Sequence, residues 1–189
     1  MTKAELYALV ERKRAELGLS GVPVRALELV RTRYPEIILR QDDFGTRAVG
    51  GMLIRGPVSL LSLNARRNAA EQNFDCAHEL IHYWSGLRHC ALPPDGSPPP
   101  KQDPYVEWMA NEGAAELLMP FRLLLPIFYH ERLWRHTGPA RRERLRLFAG
   151  HFAVTPAMME NRWRSLRREL AQYAETLSVH GVVPLAREM

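Results

Sequence analysis

The sequence predicts an α+β protein in which a helix with the pattern H-E-x-x-H packs on a small antiparallel three-stranded sheet, followed by a helical C-terminal region. Three observations support this prediction. Apolar residues recur at helical spacing near both ends of the chain, three short strand-like segments lie within residues 37–63, and an apolar helix follows them. The 189 residues, 46% hydrophobic and 25% charged, are typical of a globular protein with one or two small domains.

The N-terminal third of the chain supplies two helices and the sheet. Helical spacing of apolar residues predicts a first helix over residues 2–17, and a second, shorter helix over residues 24–34 ends at Pro35. Strand-like segments follow at residues 37–41, 49–55 and 58–63. Because the connections between these segments are short, we expect an antiparallel meander that packs against the next helix.

The helix after the sheet has the residues of a metal site. Asn68 and Glu71 have the spacing of a capping box at its start. His78 and His82 are four residues apart, so their side chains are rotated by only about 40° and separated by about 6 Å along the axis. Glu79 projects from the edge of the same face, where a general base can take a proton from an attacking water. The alternative is a pair of ordinary helix histidines, but burying their ring nitrogens is costly unless a metal such as zinc satisfies them.

A catalytic zinc needs a third protein ligand and one open position. We expect this ligand on the next helix, which Asp103 and Pro104 are predicted to start. Glu107 can supply the carboxylate, and Asn111, four residues later on the same face, can orient a ligand histidine through its other ring nitrogen. By spacing alone, two other carboxylates of this helix compete with Glu107: Glu112 and Glu116.

The segment between the two helices, residues 87–103, contains five prolines and is predicted to be a surface loop. It is either a rim of the site or a plain spacer.

The two cysteines are not expected to be central to the site. Cys90, in this segment, is a weaker candidate ligand, and Cys76 is interpreted as a small buried hydrophobe. Two cysteines are too few for a disulfide framework, and they fit a reducing cytoplasm. The sequence shows neither a signal-peptide pattern nor a membrane-spanning run.

We predict two domains, a metal-binding domain at residues 1–130 and a basic helical region at residues 131–189. The first has equal numbers of acidic and basic residues, whereas the second, with eleven arginines and six acidic residues, accounts for the net charge of +5.

In the basic region, residues 140–152 and a long helix from Pro156 resemble a helix-turn-helix pair. Four arginines of this long helix are predicted to contact an acidic partner or nucleic acid: Arg162, Arg164, Arg167 and Arg168. Direct DNA binding is less favoured, because no base-reading Asn or Gln set accompanies them, and a solvated helix face is the plain alternative.

Two motifs resemble those of the ImmA/IrrE family of metallo-endopeptidases, formerly a domain of unknown function. The first reads A-H-E-L-I-H from Ala77, and the second reads E-x-x-A-N from Glu107, followed by A-E-L-L-M-P at residues 115–120. The family typically has A-H-E-L-G-H and E-x-x-A-N-x-F-A-x-E-L-L-M-P. The second motif discriminates, because H-E-x-x-H alone occurs in many unrelated zincins. The resemblance covers roughly residues 20–130.

The resemblance implies a zincin-like fold and a zinc ion held by His78, His82 and Glu107, with Glu79 as the catalytic glutamate. It also implies limited proteolysis of a helix-turn-helix transcriptional repressor. The sequence therefore predicts a cytoplasmic zinc endopeptidase that makes a limited cut in a specific protein partner. The rival hypothesis is a non-proteolytic zinc-containing binding module, which contacts a regulator or DNA through its basic C-terminal helices. A complete ligand set with an intact Glu79 favours the peptidase.

Two positions depart from the family pattern. Ile81 stands where the family usually has Gly, which predicts looser packing behind the metal-binding helix. Gly113 stands where the family usually has Phe, which predicts open space beside the site. Because neither position is a ligand, we expect activity to survive. Four residues are chemically able to stabilise the oxyanion of the reaction, and the sequence singles out none of them: Tyr129, His130, His136 and His151.

Overall fold

The computed structural model describes residues 1–86 and 103–185. Most of the predicted loop at residues 87–103, including Cys90, therefore lies outside the described residues. None of the helices in the described part combines the length with the apolar composition that a membrane span requires.

The described elements are, in chain order, α1 (Lys3–Glu16), α2 (Ala26–Arg33), β1 (Ile37–Asp42), β2 (Gly51–Ile54), β3 (Ser59–Asn64), α3 (Ala69–Ser85), α4 (Pro104–Leu118), α5 (Phe121–His130), α6 (Gly138–His151), α7 (Pro156–Ser165) and α8 (Arg167–Thr176). Single 3₁₀ turns lie at Leu133–Arg135 and Val179–Gly181. The chain divides into two compact units, Arg25–Ala114 and Met1–Val24 with Ala115–Met189. The predicted domain boundary at residue 130 does not coincide with a boundary between these units. That residues 1–130 and 131–189 have different functions stays a prediction.

The three strands form one mixed sheet in the order β1-β3-β2. β3 pairs in parallel with β1, with Ile37 opposite Ser59, and antiparallel with β2, with Gly51 opposite Leu63. The α+β class is thus confirmed, but the predicted antiparallel meander is wrong in strand order and in the direction of one pair. The central strand β3 is the most buried of the three, whereas β1 is largely exposed. Among the strands that the structure describes, β2 therefore lies at an edge of the sheet.

α3 begins with the predicted capping box. Asn68 Oδ1 accepts from the Glu71 N–H at 2.9 Å, and Glu71 Oε2 accepts from the Asn68 N–H at 2.8 Å. The helix packs on β2 and β3 through a buried apolar face. It ends at Gly86, whose positive φ of 69° a residue with a side chain rarely adopts. Both ends of α3 are therefore set by local sequence.

β2 lies close to α3 where the strand begins. A Cβ atom on Gly50 would lie 2.4 Å from the Asp75 carboxyl group. A Cβ on Gly51 would lie 3.1 Å from a methyl group of Leu63 and 3.4 Å from Cγ of Glu79. Glycine at these two positions lets the strand run beside α3.

In the unit formed by Met1–Val24 and Ala115–Met189, Arg162 is fully buried. Its guanidinium group pairs with Glu116 and donates to the Tyr7 hydroxyl at 2.5 Å and the Met119 carbonyl at 3.0 Å. The prediction that Arg162 contacts a partner is therefore wrong, because its charge is already neutralised inside the protein. The predicted long C-terminal helix is also broken, at Leu166, between α7 and α8.

Candidate metal centre

The two histidines of α3 and one glutamate of α4 meet in the unit Arg25–Ala114. His78 Nε2 lies 3.0 Å from His82 Nε2 and 3.4 Å from Glu107 Oε2, and Glu107 Oε1 lies 3.4 Å from His82 Nε2. Ligand atoms at the 2.0–2.2 Å typical of zinc are separated by about 3.3–3.6 Å in a tetrahedral site. The observed separations are close to these values. Two imidazoles and a carboxylate also form a donor set that suits zinc and leaves a fourth position for water or substrate.

Asn111 lies behind this group, where the sequence predicts it. Its Oδ1 atom is 3.2 Å from His78 Nδ1, and its Nδ2 donates to the Glu107 main-chain carbonyl at 2.9 Å. In the neutral imidazole, a hydrogen bond from Nδ1–H to Asn111 favours the tautomer whose Nε2 is unprotonated, which is the form that binds a metal. Asn111 therefore holds the His78 ring in the orientation and the tautomer that ligation needs.

The two competing carboxylates of α4 do not join the metal-ligand group. Glu112 is five residues after Glu107, so its side chain is rotated by about 140° around the helix axis. Glu116 is fully buried, where it pairs with Arg162 and accepts from the Phe121 N–H at 3.2 Å. Glu107 is thus the carboxylate of α4 that the structure brings to the histidines.

Glu79 lies beside the ligands, is only 3% exposed and is close to β2. Burial raises its pKa to about 7, and the negative charge of Glu107 contributes in the same direction. The charge of His78 and a hydrogen bond from the Leu53 main chain oppose this rise in pKa. A carboxyl group with a pKa near neutrality can both accept and donate a proton at physiological pH.

The ligands influence one another electrostatically. Hydrogen bonds from His78 and His82 hold the pKa of Glu107 well below its ordinary value. Burial lowers the pKa of His78, but the hydrogen bond to Glu107 and the nearby carboxylates outweigh burial and raise it. Cys76 on the same helix is fully buried, and burial raises the pKa of its thiol, so it is an inert core residue as predicted.

The remaining predicted site residues belong to the other unit. Arg164, Arg167 and Arg168 are exposed, unlike Arg162. The four oxyanion candidates are not members of the ligand group, and their role stays a prediction: Tyr129, His130, His136 and His151.

Sequence reasoning did not single out β2 as part of the site. Leu53 reaches Glu79 through its main chain, and Gly51 allows the strand to pass beside that side chain. A sequence seldom indicates main-chain contacts, because almost every residue type has the same main-chain groups. The paired glycines at residues 50 and 51 are a usable signal, because glycine in a strand often marks a close approach to another segment.

The family model for the peptidase M78, IrrE N-terminal-like domain matches residues 34–164. The chain belongs to this family. The match contains both motifs and confirms the resemblance to the ImmA/IrrE metallo-endopeptidases. It also runs past residue 130, where the resemblance was expected to end, into α7. A comparison with curated proteins gives no match.

The two departures from the M78 pattern compensate for each other. A Cβ atom on Gly113 would lie 2.9, 3.0 and 3.1 Å from three carbon atoms of the Ile81 side chain. Ile81 is 1% exposed, so it fills the space over Gly113. The expected looser packing and open space are therefore wrong: where the family has a small residue on α3 and a large one on α4, this chain has the reverse.

Proposed function

We propose that this M78 family member is a zinc-dependent endopeptidase that makes a limited cut in a specific protein partner. The observation that carries the proposal is the separation of 3.0–3.4 Å between the ligand atoms of His78, His82 and Glu107, with the buried Glu79 beside them. A metal site with only a structural role has no need of a carboxyl group next to an open coordination position.

The residues divide the chemistry among themselves. His78, His82 and Glu107 would hold the zinc, and Asn111 fixes the His78 ring. When bound, zinc supplies a Lewis acid that polarises the scissile carbonyl and lowers the pKa of the attacking water. Glu79 takes the proton from that water and delivers it to the leaving amine.

The edge of the sheet supports an extended peptide as the substrate. Within the described part of the chain, β2 pairs with β3 alone, and it runs beside Glu79. An edge strand presents unpaired main-chain N–H and C=O groups, to which an extended segment can add as a further strand. Such pairing uses main-chain hydrogen bonds, which any extended peptide can make. Recognition of one particular protein substrate therefore requires further contacts outside β2.

We propose that a helix-turn-helix transcriptional repressor with an acidic surface is the partner. The exposed arginines Arg164, Arg167 and Arg168 can dock such a surface while a flexible segment of the repressor enters the zinc cleft. The repressor assignment rests on the family resemblance, and the docking assignment rests on the concentration of positive charge in the C-terminal helices.

The zinc-loaded protein should be incubated with a helix-turn-helix repressor from the same genome, and the products should be measured by intact mass. We expect two fragments from one cut with the parent protein and with Glu112→Gln, and none with Glu79→Gln. Binding of the repressor without any cut by the parent protein would instead favour the non-proteolytic binding module.

A further inference from the structure

A pocket of about 580 Å³ lies on the unit formed by Met1–Val24 and Ala115–Met189, and the peptidase chemistry does not use it. This volume lies within the range of about 300–1,000 Å³ that is usual for small-molecule sites. Two tryptophans and three arginines dominate its lining: Trp134, Trp163, Arg141, Arg164 and Arg167.

α8 provides the room for this pocket. Arg167, Ala171 and Ala174 are spaced by four and three residues, so they share one face of the helix. The two alanines do not fill the space that larger side chains would occupy. Trp163 is 4% exposed and packs edge-on against Phe128 at 5.3 Å between ring centroids, which holds its indole in place.

The second indole is more accessible. Trp134 is 45% exposed and packs against Tyr129 at 5.1 Å between ring centroids. A flat ring system that enters the pocket can therefore contact indole surface. Aromatic pairs of this kind gain free energy beyond the area they bury.

The charged residues that line the pocket are all basic within residues 1–86 and 103–185. Arg164 pairs with Glu160. Arg141 donates to the His136 carbonyl at 3.2 Å and has no carboxylate partner in the described part of the chain. The guanidinium group of Arg167 has neither a hydrogen-bond nor an ion-pair partner among the residues that the structure describes. Two of the three guanidinium groups are thus available to a ligand.

We infer that this pocket binds a small aromatic anion, a planar ring that bears a carboxylate or phosphate group. The planar guanidinium group donates two parallel hydrogen bonds to either anion, and the indoles contact the ring. This assignment uses no residue of the metal centre, but it shares Arg164 and Arg167 with the proposed docking surface. Binding of a small ligand is therefore measured without the repressor, so that the result does not depend on cleavage.

Isothermal titration calorimetry of the full chain with 1-naphthyl phosphate tests the inference. We expect saturable binding at one site per chain. 1-Naphthol keeps the ring and lacks the charge, whereas inorganic phosphate keeps the charge and lacks the ring. Each should bind at least about tenfold more weakly, because it loses one of the two sets of contacts.

Matched arginine variants locate the site. Arg141→Gln/Arg167→Gln should weaken binding of 1-naphthyl phosphate by about tenfold or more. Arg142→Gln/Arg146→Gln removes the same charge from exposed positions outside the pocket and should bind like the parent protein. Because Arg141 also bonds to the main chain, Arg167→Gln alone provides a variant whose fold is not at risk, and it should weaken binding in the same direction.

Three results would each overturn the inference. The first is absence of saturable 1-naphthyl phosphate binding by the parent protein. The second is equal affinity for 1-naphthol, which would show that the arginines do not contribute. The third is an equal loss of affinity in the two double variants, which would indicate attraction by net charge rather than a site.

Discussion

At the scale of single residues, each side chain of the centre is proposed to have a separate task. Glu79 would move the proton without holding the metal. Replacing it by glutamine keeps the size of the side chain but removes its capacity to accept a proton. We expect Glu79→Gln to bind zinc and fold like the parent protein and to cleave the partner about 10²- to 10⁴-fold more slowly. Equal cleavage rates for the two proteins would refute the hydrolytic mechanism.

Asn111 has an indirect task, because it acts through His78. Asn111→Ala removes the acceptor that selects the Nε2-binding tautomer, and we expect zinc affinity to fall about 10–100-fold. Asn111→Asp keeps an oxygen at that position and should retain most of the affinity. Competition with a chelator of known zinc affinity measures both. If Asn111→Ala and the parent protein hold zinc equally well, Asn111 has no positioning role.

At the scale of elements, the contact between α3 and α4 depends on a large residue, Ile81, that faces a glycine, Gly113. Gly113→Ala should destabilise the protein by about 1–3 kcal/mol, because the added methyl group overlaps a stiff, buried isoleucine. In an Ile81→Ala background the same change should be neutral or stabilising, because the space is then empty and alanine favours a helix over glycine by about 1 kcal/mol. Urea unfolding of the four proteins measures this coupling.

Gly150→Ala is the matched control for that cycle. Gly150 lies on α6, and an added Cβ would have no neighbour within 4 Å. We expect this change to be neutral or slightly stabilising, as helix propensity alone requires. If Gly113→Ala behaves like Gly150→Ala in the parent background, Ile81 does not fill the space as described.

The sequence predicts features that depend on neighbours along the chain and misses those that depend on distant partners. The capping box of α3 and the facing pair His78 and His82 follow from helical periodicity, and the structure has both. The order of the strands does not follow from their spacing, because short connections permit more than one pairing and the contacts that select one are not local in sequence. The contact in which the Ile81 side chain fills the space over Gly113 could not be predicted either, because the two residues lie on different helices.

The burial of Arg162 likewise could not be predicted from the sequence. Its neighbours Arg164, Arg167 and Arg168 are exposed, and nothing in the local pattern separates it from them. Its burial depends on Glu116 and on Tyr7, which is 155 residues away in the chain. A buried charge requires a partner of opposite sign, and a single sequence does not show which pairs will meet.

At the scale of the whole molecule, we expect recognition of the partner to depend on exposed positive charge. Arg164→Gln/Arg167→Gln/Arg168→Gln should slow cleavage of the repressor at low salt. The difference from the parent protein should shrink as salt rises, because exposed charges are screened beyond about 8 Å at physiological ionic strength. Cleavage rates across a salt series give the measurement.

A triple variant with the same change in net charge controls for general attraction: Arg135→Gln/Arg142→Gln/Arg146→Gln, all at exposed positions. It should cleave faster than the docking variant at low salt. If the docking variant cuts as fast as the parent protein at every salt concentration, the docking hypothesis fails while the peptidase assignment stands.

The most direct test of the central claim is the zinc content of four single variants after dialysis against a weak chelator. The parent protein should retain one zinc per chain, and Glu112→Ala should match it. His78→Ala, His82→Ala and Glu107→Ala should each lose the metal, because two ligands do not hold zinc against a chelator. Retention of full zinc by Glu107→Ala, or its loss from Glu112→Ala, would contradict the metal centre described for this protein.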